Sequence, residues 1–426
     1  MATALLVLGI LALVLINVPI AVALGIAATV AIVVSQGVES LPNLAIVMYN
    51  GATNFPLIAI PLFILAGAIM NTSGISRRLI AFASALLGFI RGGLAMVNVG
   101  TSLFFAEISG SAVADVAALG SVLMPAMKKK GYPGPFTAAI TSSSASLAII
   151  IPPSIPMILY AVMSGSSVVQ LFVAGIIPGV LGGLLMMALC YYYARKYDWP
   201  VEEAFQLKRL WATFKDASLA FLLPLIILGG IFGGLVTATE GAGLAVVAAI
   251  AIAVYYREID WPQLRAAIVD GAVQTAVVML LVASSALLGV YLTEEQVPQR
   301  LAQAIAELTS NKHLILALFN LFFLAVGLFL HSAAAIILVV PIVMPVVNAV
   351  GIDPVHFGLV VTLNLAIGQQ TPPVASVLMT ACSIAKENIW DVTKANLPFI
   401  GVLLLVLLLV TYVPAIPLSL VNLFYR

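Results

Sequence analysis

Long apolar runs recur along the whole chain, each about as long as a helix needs to cross the roughly 30 Å hydrocarbon core of a bilayer. The apolar residues within them are continuous, not alternating, which predicts helices and not the strands of a membrane barrel. Ten crossings are expected, near residues 1–18, 20–36, 51–73, 134–164, 168–193, 218–236, 240–256, 271–291, 357–381 and 397–420. Two further apolar stretches, 92–127 and 313–347, are interrupted at their centres by Glu107 to Ser111 and by His331 to Ser332. Such interruptions predict re-entrant helical hairpins and not straight spans.

Charge placement gives this pattern a direction. With both hairpins entering and leaving on one side, Arg300, Lys312 and Arg426 fall on one face and the other fifteen Lys and Arg residues on the opposite face. That is the bias of exported against cytoplasmic loops, and it puts both termini outside, the hairpin at 92–127 inside and the hairpin at 313–347 outside.

A shift of 220 positions superimposes Pro42 on Pro262, Pro125 on Pro345, Pro152 and Pro153 on Pro372 and Pro373, and Pro178 on Pro398. Chance predicts roughly half a proline match at a proline frequency near 5%. The chain therefore reads as two copies, 1–196 and 218–426, each with an odd number of traversals, which inverts the second relative to the first. The polar stretch 197–217 between them is expected to lie along the cytoplasmic surface. Pro200, Glu202 and Glu203 are its expected helix start, and Trp199 and Trp211 suit an interfacial position. The fold class is thus an all-α membrane protein of about ten transmembrane helices plus two re-entrant hairpins in two inverted-topology repeats.

Composition narrows the function. Of 426 residues 63% are hydrophobic and 8% charged, too little polar surface for a water-soluble globule. A net charge of +1, with no basic cluster larger than Lys128, Lys129 and Lys130, excludes a nucleic-acid partner recruited by bulk charge. Cys190 and Cys382 lie in apolar segments and read as packing residues. No nucleophile elbow or HExxH motif points to an intramembrane hydrolase, so the chain is not expected to be an enzyme. The first residues carry no basic n-region and no convincing cleavage site, so they are expected to stay as a span.

Chemistry is expected where helices break at matching places in the two copies, because unwound segments expose carbonyls and amides. The first hairpin turns at Glu107, Ile108, Ser109, Gly110 and Ser111, and the second at His331 and Ser332. The facing crossings break from Ser142 to Ser154, through Ile151, Pro152 and Pro153, and from Asn364 to Pro373, through Gly368, Gln369, Gln370 and Thr371. A Pro-Pro pair removes two amide donors and leaves carbonyls one turn earlier available to a hard cation. A single kink is more often plain packing, but polar breaks paired across two copies favour a site. The carboxylates Glu107, Asp115 and Glu240 are intramembrane candidates, with Glu240, beside Thr237 and Thr239, better read as a helix cap. His331 could carry a proton or act as a neutral hydrogen-bonding imidazole. No Lys or Arg falls at a break, so an anionic substrate would be held by hydroxyls, helix N-termini and bound cations. Ser111, Ser144, Ser332 and Asn364 are the expected substrate contacts.

At these residues the chain resembles the large membrane subunit of tripartite ATP-independent periplasmic (TRAP) transporters. The carrying motifs are Ile60-Pro61-Leu62-Phe63-Ile64-Leu65-Ala66-Gly67, Ile108-Ser109-Gly110-Ser111-Ala112-Val113-Ala114-Asp115, Ile150-Ile151-Pro152-Pro153-Ser154, Gly229-Gly230-Ile231-Phe232-Gly233-Gly234 and Thr371-Pro372-Pro373. The resemblance implies an elevator-type, sodium-coupled importer of organic acids of the sialic acid or C4-dicarboxylate class in a bacterial inner membrane. It also implies two partners, a small membrane subunit and a periplasmic substrate-binding protein. Family sodium sites carry over to Ser109, Gly110, Ile151 and Pro153 in one copy, and to Ser332, Asn364, Gly368 and Thr371 in the other. The chain departs from the family pattern at His331, where members often have an acidic residue, and at Ala375, where glycine is common. The alternative is a stand-alone ion-coupled anion carrier or antiporter of the wider inverted-repeat superfamily, needing no binding protein.

The charge bias makes a direct prediction. In intact cells or right-side-out vesicles, a cysteine replacing Lys130 should react with an impermeant maleimide only after permeabilisation, and one replacing Lys312 before it.

Overall fold

The structure, a computed structural model, describes residues 6, 8–10, 12, 13, 16, 18–199, 201, 204–309 and 311–425, with the side chains at 107–109, 305, 306 and 308 also outside the description. The described residues form helices and connecting turns. The expected crossing at 1–18 and the expected helix-starting residues Pro200, Glu202 and Glu203 lie largely or wholly outside the described residues.

The first copy runs through α1 (Ile20–Gln36), α2 (Leu41–Ala52), α3 (Ala59–Thr72), α4 (Ile75–Leu87), α5 (Gly93–Ser109), α6 (Ala112–Lys129), α7 (Gly134–Ala145), α8 (Ile155–Ser164) and α9 (Val168–Lys196). The second runs through α10 (Leu207–Phe232), α11 (Ala238–Tyr255), α12 (Trp261–Glu294), α13 (Val297–Leu308), α14 (Lys312–Phe329), α15 (Ser332–Ala349), α16 (Pro354–Gly368), α17 (Ser376–Ala385) and α18 (Ile389–Tyr412), and α19 (Ala415–Tyr425) closes the chain. Eight helices, counted among the described residues with the turn before α3 included, are long and apolar enough to cross a membrane. The broken crossings are pairs of shorter helices, α7 with α8 and α16 with α17, neither half of which spans alone. Both arms of the second hairpin, α14 and α15, are among the eight, so length by itself does not separate a re-entrant arm from a span.

The 220-residue spacing recurs in the elements: Ala112–Lys129 corresponds to Ser332–Ala349 and Gly134 to Pro354, and, one residue on, Ile155–Ser164 to Ser376–Ala385 and Val168 to Ile389. At one place where the copies differ, a proline marks the difference. The 34-residue helix α12 is continuous, whereas its counterpart is split into α2 and α3 by Thr53, Asn54 and a short 3₁₀ turn, Phe55–Ile58, that carries Pro56. Proline lacks an amide donor and disfavours a continuous helix, and the aligned residue in α12 is Ala276.

Several expectations are corrected. The crossing placed at 51–73 starts only at Ala59, and a separate helix α2 precedes it. Helix α10 begins at Leu207, so the latter half of the expected surface connector is its first three turns. Trp199 is buried among Tyr132 (4.5 Å between ring centroids) and Phe136 (4.6 Å), holding the connector against α7, whereas Trp211 is exposed. The last crossing ends at Tyr412, and after Val413-Pro414 the chain restarts as α19, packed on α9. The first hairpin stays helical through Ser109 and turns at Gly110-Ser111, and the second turns at Leu330-His331.

The expectation also lacked two amphipathic helices, α4 and α13, which precede the hairpins at matching places. At 13 and 12 residues they are too short for a bilayer-length ruler to find. Helix α4 packs on α5 of the first hairpin and on α10. Arg78 fastens it to the rest: its guanidinium lies 3.0 Å from one Glu258 oxygen and 3.2 Å from Asp216, and 3.8 Å above the Tyr256 ring. Arg77 adds a 3.1 Å bond to Glu258. Two groups of helices result. The hairpins, the broken crossings, α9 and α18 pack together, and α1, α2, α3, α10, α11 and α12 form a frame beside them, with α4 and α13 joining frame to hairpins.

The Arg78 hydrogen bonds hold the Glu258 carboxyl below its usual range. A depressed folded value means that the stabilisation is complete above the unfolded value of about 4.3 and lost as pH falls through the folded one. Thermal unfolding of the wild type should therefore show an added loss below about pH 4 that Glu258→Gln lacks. At neutral pH that variant should be less stable by about 1 kcal/mol, since the pair is only partly shielded from water.

Candidate functional site

Each hairpin tip sits on the break of its own copy. Gly110 closes the first tip with φ +58°, a left-handed conformation, and a Cβ there would lie 2.8 Å from the Pro153 carbonyl oxygen. Glycine is thus required both by the turn and by the approach to the break. The break itself is a 3₁₀ turn, Ser146–Ile149, followed by Ile150 to Ser154 with a cis Pro152-Pro153 bond. Ser154 restarts the helix: its hydroxyl donates to the Ile149 carbonyl (2.5 Å) and accepts from the Met157 amide (3.4 Å). Ile151 is buried against Gly179 of α9.

In the second copy the Val374 amide, just past the cis Pro372-Pro373 bond, donates to the Leu328 carbonyl of the hairpin at 3.2 Å. Gly368, the last residue of α16, meets Gly327 of α14 so closely that a Cβ would lie 2.5 Å from the Gly327 backbone. The role of Gly368 here is to let two backbones touch. Ala375 has φ +43° and ψ +50°, a left-handed residue before α17 that carries about 1–2 kcal/mol of strain for a non-glycine.

The expected site residues fall into distinct surroundings. Asn364 is fully buried; its Nδ2 donates to Asn320 Oδ1 and to the Val360 carbonyl, both at 2.8 Å, and among the described residues its Oδ1 has no hydrogen-bond partner. Thr371 donates to Ile367 in its own preceding turn (3.1 Å). Ser144 is buried in another network, with Ser102 (2.8 Å) and Asn98 (3.2 Å), and Asn98 also donates to Thr141 (2.7 Å). Ser111 caps α6, accepting from Ala114 at 3.5 Å, and Ser332 is buried at the start of α15. Asp115 is buried in the first turn of α6, and His331 stays accessible at the second tip. The side chains of Glu107 and Ser109 lie outside the described residues.

Glu240 does not join the breaks. It closes a capping box on α11, accepting from the Thr237 amide at 2.8 Å while the Thr237 hydroxyl accepts from the Glu240 amide at 3.2 Å. Sequence reasoning missed Asn98, Asn320 and Asn396 and did not single out Gln370. The available signal was amide side chains inside otherwise apolar helices, which need partners when buried.

Among the described residues no group of three or more His, Cys, Asp and Glu is placed to hold a metal ion. The side-chain and backbone oxygens described within the two breaks are carbonyls, hydroxyls and amides, a set without the soft ligands of a thiophilic metal.

Comparison with known proteins decides what kind of molecule carries this arrangement. Residues 7–416 match the family described as the tripartite ATP-independent periplasmic transporter, DctM component. The chain belongs to that family. It is accordingly the large permease of a TRAP transporter, a multi-pass inner-membrane protein and not an enzyme. Among its relatives, the C4-dicarboxylate TRAP transporter large permease of Pseudomonas aeruginosa is 38% identical over 90% of each chain. The sialic acid large permease of Vibrio cholerae is 36% identical over 88% of each. The isethionate TRAP transporter permease DctMQ of Oleidesulfovibrio alaskensis is 41% identical over 94% of this chain, which spans only 64% of that relative's length. In fold the chain is similar to the YdaH transporter of Alcanivorax borkumensis, with a TM-score of 0.64 over 90% of this chain and 91% of that one at 15% identity.

The Gly327–Gly368 contact makes a prediction specific to this TRAP permease. Gly368→Ala should force α14 off α16 and cost about 1–3 kcal/mol in thermal unfolding, whereas an alanine at Gly401, which meets nothing within 4 Å, should be near neutral.

Proposed function

We propose that the chain is the permease of a sodium-coupled secondary importer of small organic acid anions, working beside a small membrane subunit and taking substrate from a periplasmic binding protein. The observation that carries this reading is the double pairing of a hairpin tip with an unwound, oxygen-rich and cation-free helix break. The unpartnered Asn364 Oδ1, buried next to one break, is an oxygen that a dehydrated cation would satisfy.

Anion chemistry follows from the same surroundings. Helices α6, α8, α15 and α17 all start at a tip or a break, so four positive helix ends lie near the candidate site. Bound sodium would supply the fixed positive charge that no Lys or Arg provides there. The relatives named for C4-dicarboxylate, sialic acid and isethionate support a substrate with a carboxylate or sulfonate. Division of the helices into a hairpin-bearing group and a separate frame supports an elevator movement of one against the other.

Proteoliposomes test the reading with radiolabelled succinate and sialic acid, with the small subunit and binding protein present or omitted, and with sodium set on either side. Uptake should need an inward sodium gradient and both partners. Asn364→Ala should raise the sodium concentration for half-maximal uptake about tenfold or more. Uptake by this chain alone would favour the stand-alone carrier, and uptake indifferent to sodium would remove the coupling.

A further inference from the structure

The two breaks are joined by one side chain. Gln370 follows α16 and immediately precedes Thr371-Pro372-Pro373, the break of the second copy. Its amide reaches across to α7, the helix that leads into the break of the first copy. Gln370 Nε2 donates to the Ser142 carbonyl at 3.0 Å and to the Ser146 hydroxyl. Its Oε1 accepts from the Ser142 hydroxyl and, at 3.2 Å, from Asn396 Nδ2 of α18. Asn396 in turn accepts from the Ser143 hydroxyl at 2.6 Å. Both donors and both acceptor positions of the Gln370 amide are therefore used, and Ser142, Ser143, Ser146, Gln370 and Asn396 are all fully buried.

This link is absent from the repeat pattern. In the 220-residue register Gln370 stands opposite Ile150, an apolar residue that has no amide to make the reciprocal link. The connection has one direction and one residue at its centre.

We propose that Gln370 is a positioning residue that couples the two breaks, so that a cation seated at one is felt at the other. The proposal rests on the sodium-coupled reading above. Ordering the unwound segment around a cation fixes the Gln370 backbone, and the saturated amide then fixes the end of α7 that leads into the other break. The second cation meets a segment already ordered and binds more tightly, which is positive cooperativity without direct contact between the ions. Gln370 need not touch either ion, because it acts through the helix end it holds.

The test titrates sodium alone against the thermal stability of the purified permease complex and, separately, against its uptake rate in proteoliposomes. Wild type should respond sigmoidally. Gln370→Met, which keeps the volume and removes all four hydrogen bonds, should reduce the Hill coefficient toward about 1 and raise half-saturating sodium about fivefold or more. The maximal rate at saturating sodium should stay within about threefold. A merely structural role would lower the maximal rate and leave the steepness alone. Ser142→Ala and Ser146→Ala delete only hydroxyls and should each lower the steepness partway, which keeps the proposal testable if Gln370→Met does not fold.

Wild-type steepness retained in the variants overturns the proposal. A simple hyperbolic response of the wild type overturns it too, while leaving sodium coupling intact. Indifference of the wild type to sodium in both readouts removes the coupled-cation reading itself, and the role of Gln370 with it.

Discussion

A peptide group held where water cannot reach must find its hydrogen-bond partner inside the protein, and the core of this permease is organised around places where a helix stops providing one. The two Pro-Pro breaks each leave amides and carbonyls of a membrane-embedded crossing without their helical partners. The neighbours make up the difference locally: the Ser154 hydroxyl meets the Ile149 carbonyl, and the Leu328 carbonyl receives the Val374 amide. The hairpins bring backbone to these sites at close range, through glycines whose missing side chains permit the approach at Gly110 and Gly327. Among the described residues the Asn364 Oδ1, one turn before the second break, stays without a hydrogen-bond partner.

The same constraint explains why the copies interlock and do not sit side by side. The return arm of each hairpin packs against the second half of the other copy's broken crossing, α6 against α17 and α15 against α8. Polar bonds mark both seams. Lys128 at the end of α6 reaches the Ala385 carbonyl and Glu387 (2.6 Å) beyond α17, and the Tyr160 hydroxyl of α8 lies 3.6 Å from Met344 Sδ of α15 and donates to the Pro354 carbonyl (2.7 Å) at the start of α16. These bonds tie the hairpins and the broken crossings of the two copies into one packed group. The frame contacts this group through fewer elements, with the ion-paired α4 as one of its joints.

The elements most legible in the sequence were those governed by local chemistry. Pro152 with Pro153, Pro372 with Pro373 and Gly110 announce where a helix cannot continue, and the 220-residue shift that aligns the prolines also aligns the helix starts at Ala112 and Ser332. The capping role of Glu240 was equally local, since Thr237 and Glu240 are three residues apart. Less legible were α4 and α13, too short for a rule based on bilayer thickness, and the start of α10, whose charged first turns resemble a surface loop in composition. Trp199 looked interfacial because tryptophan favours that zone, yet aromatic neighbours from distant parts of the chain bury it.

Residue order therefore determined that this is a twofold-repeated, membrane-embedded helical protein with paired breaks, because hydrophobic length, proline and glycine act within a few residues of themselves. The tertiary structure decided which polar groups meet. Gln369 and Gln370 are adjacent and identical in type, but one turns to the Leu365 carbonyl of its own helix and the other crosses to Ser142 and Ser146. Partners 224 and 228 residues apart are chosen by how two helices pack, and that depends on the whole fold and not on any local pattern.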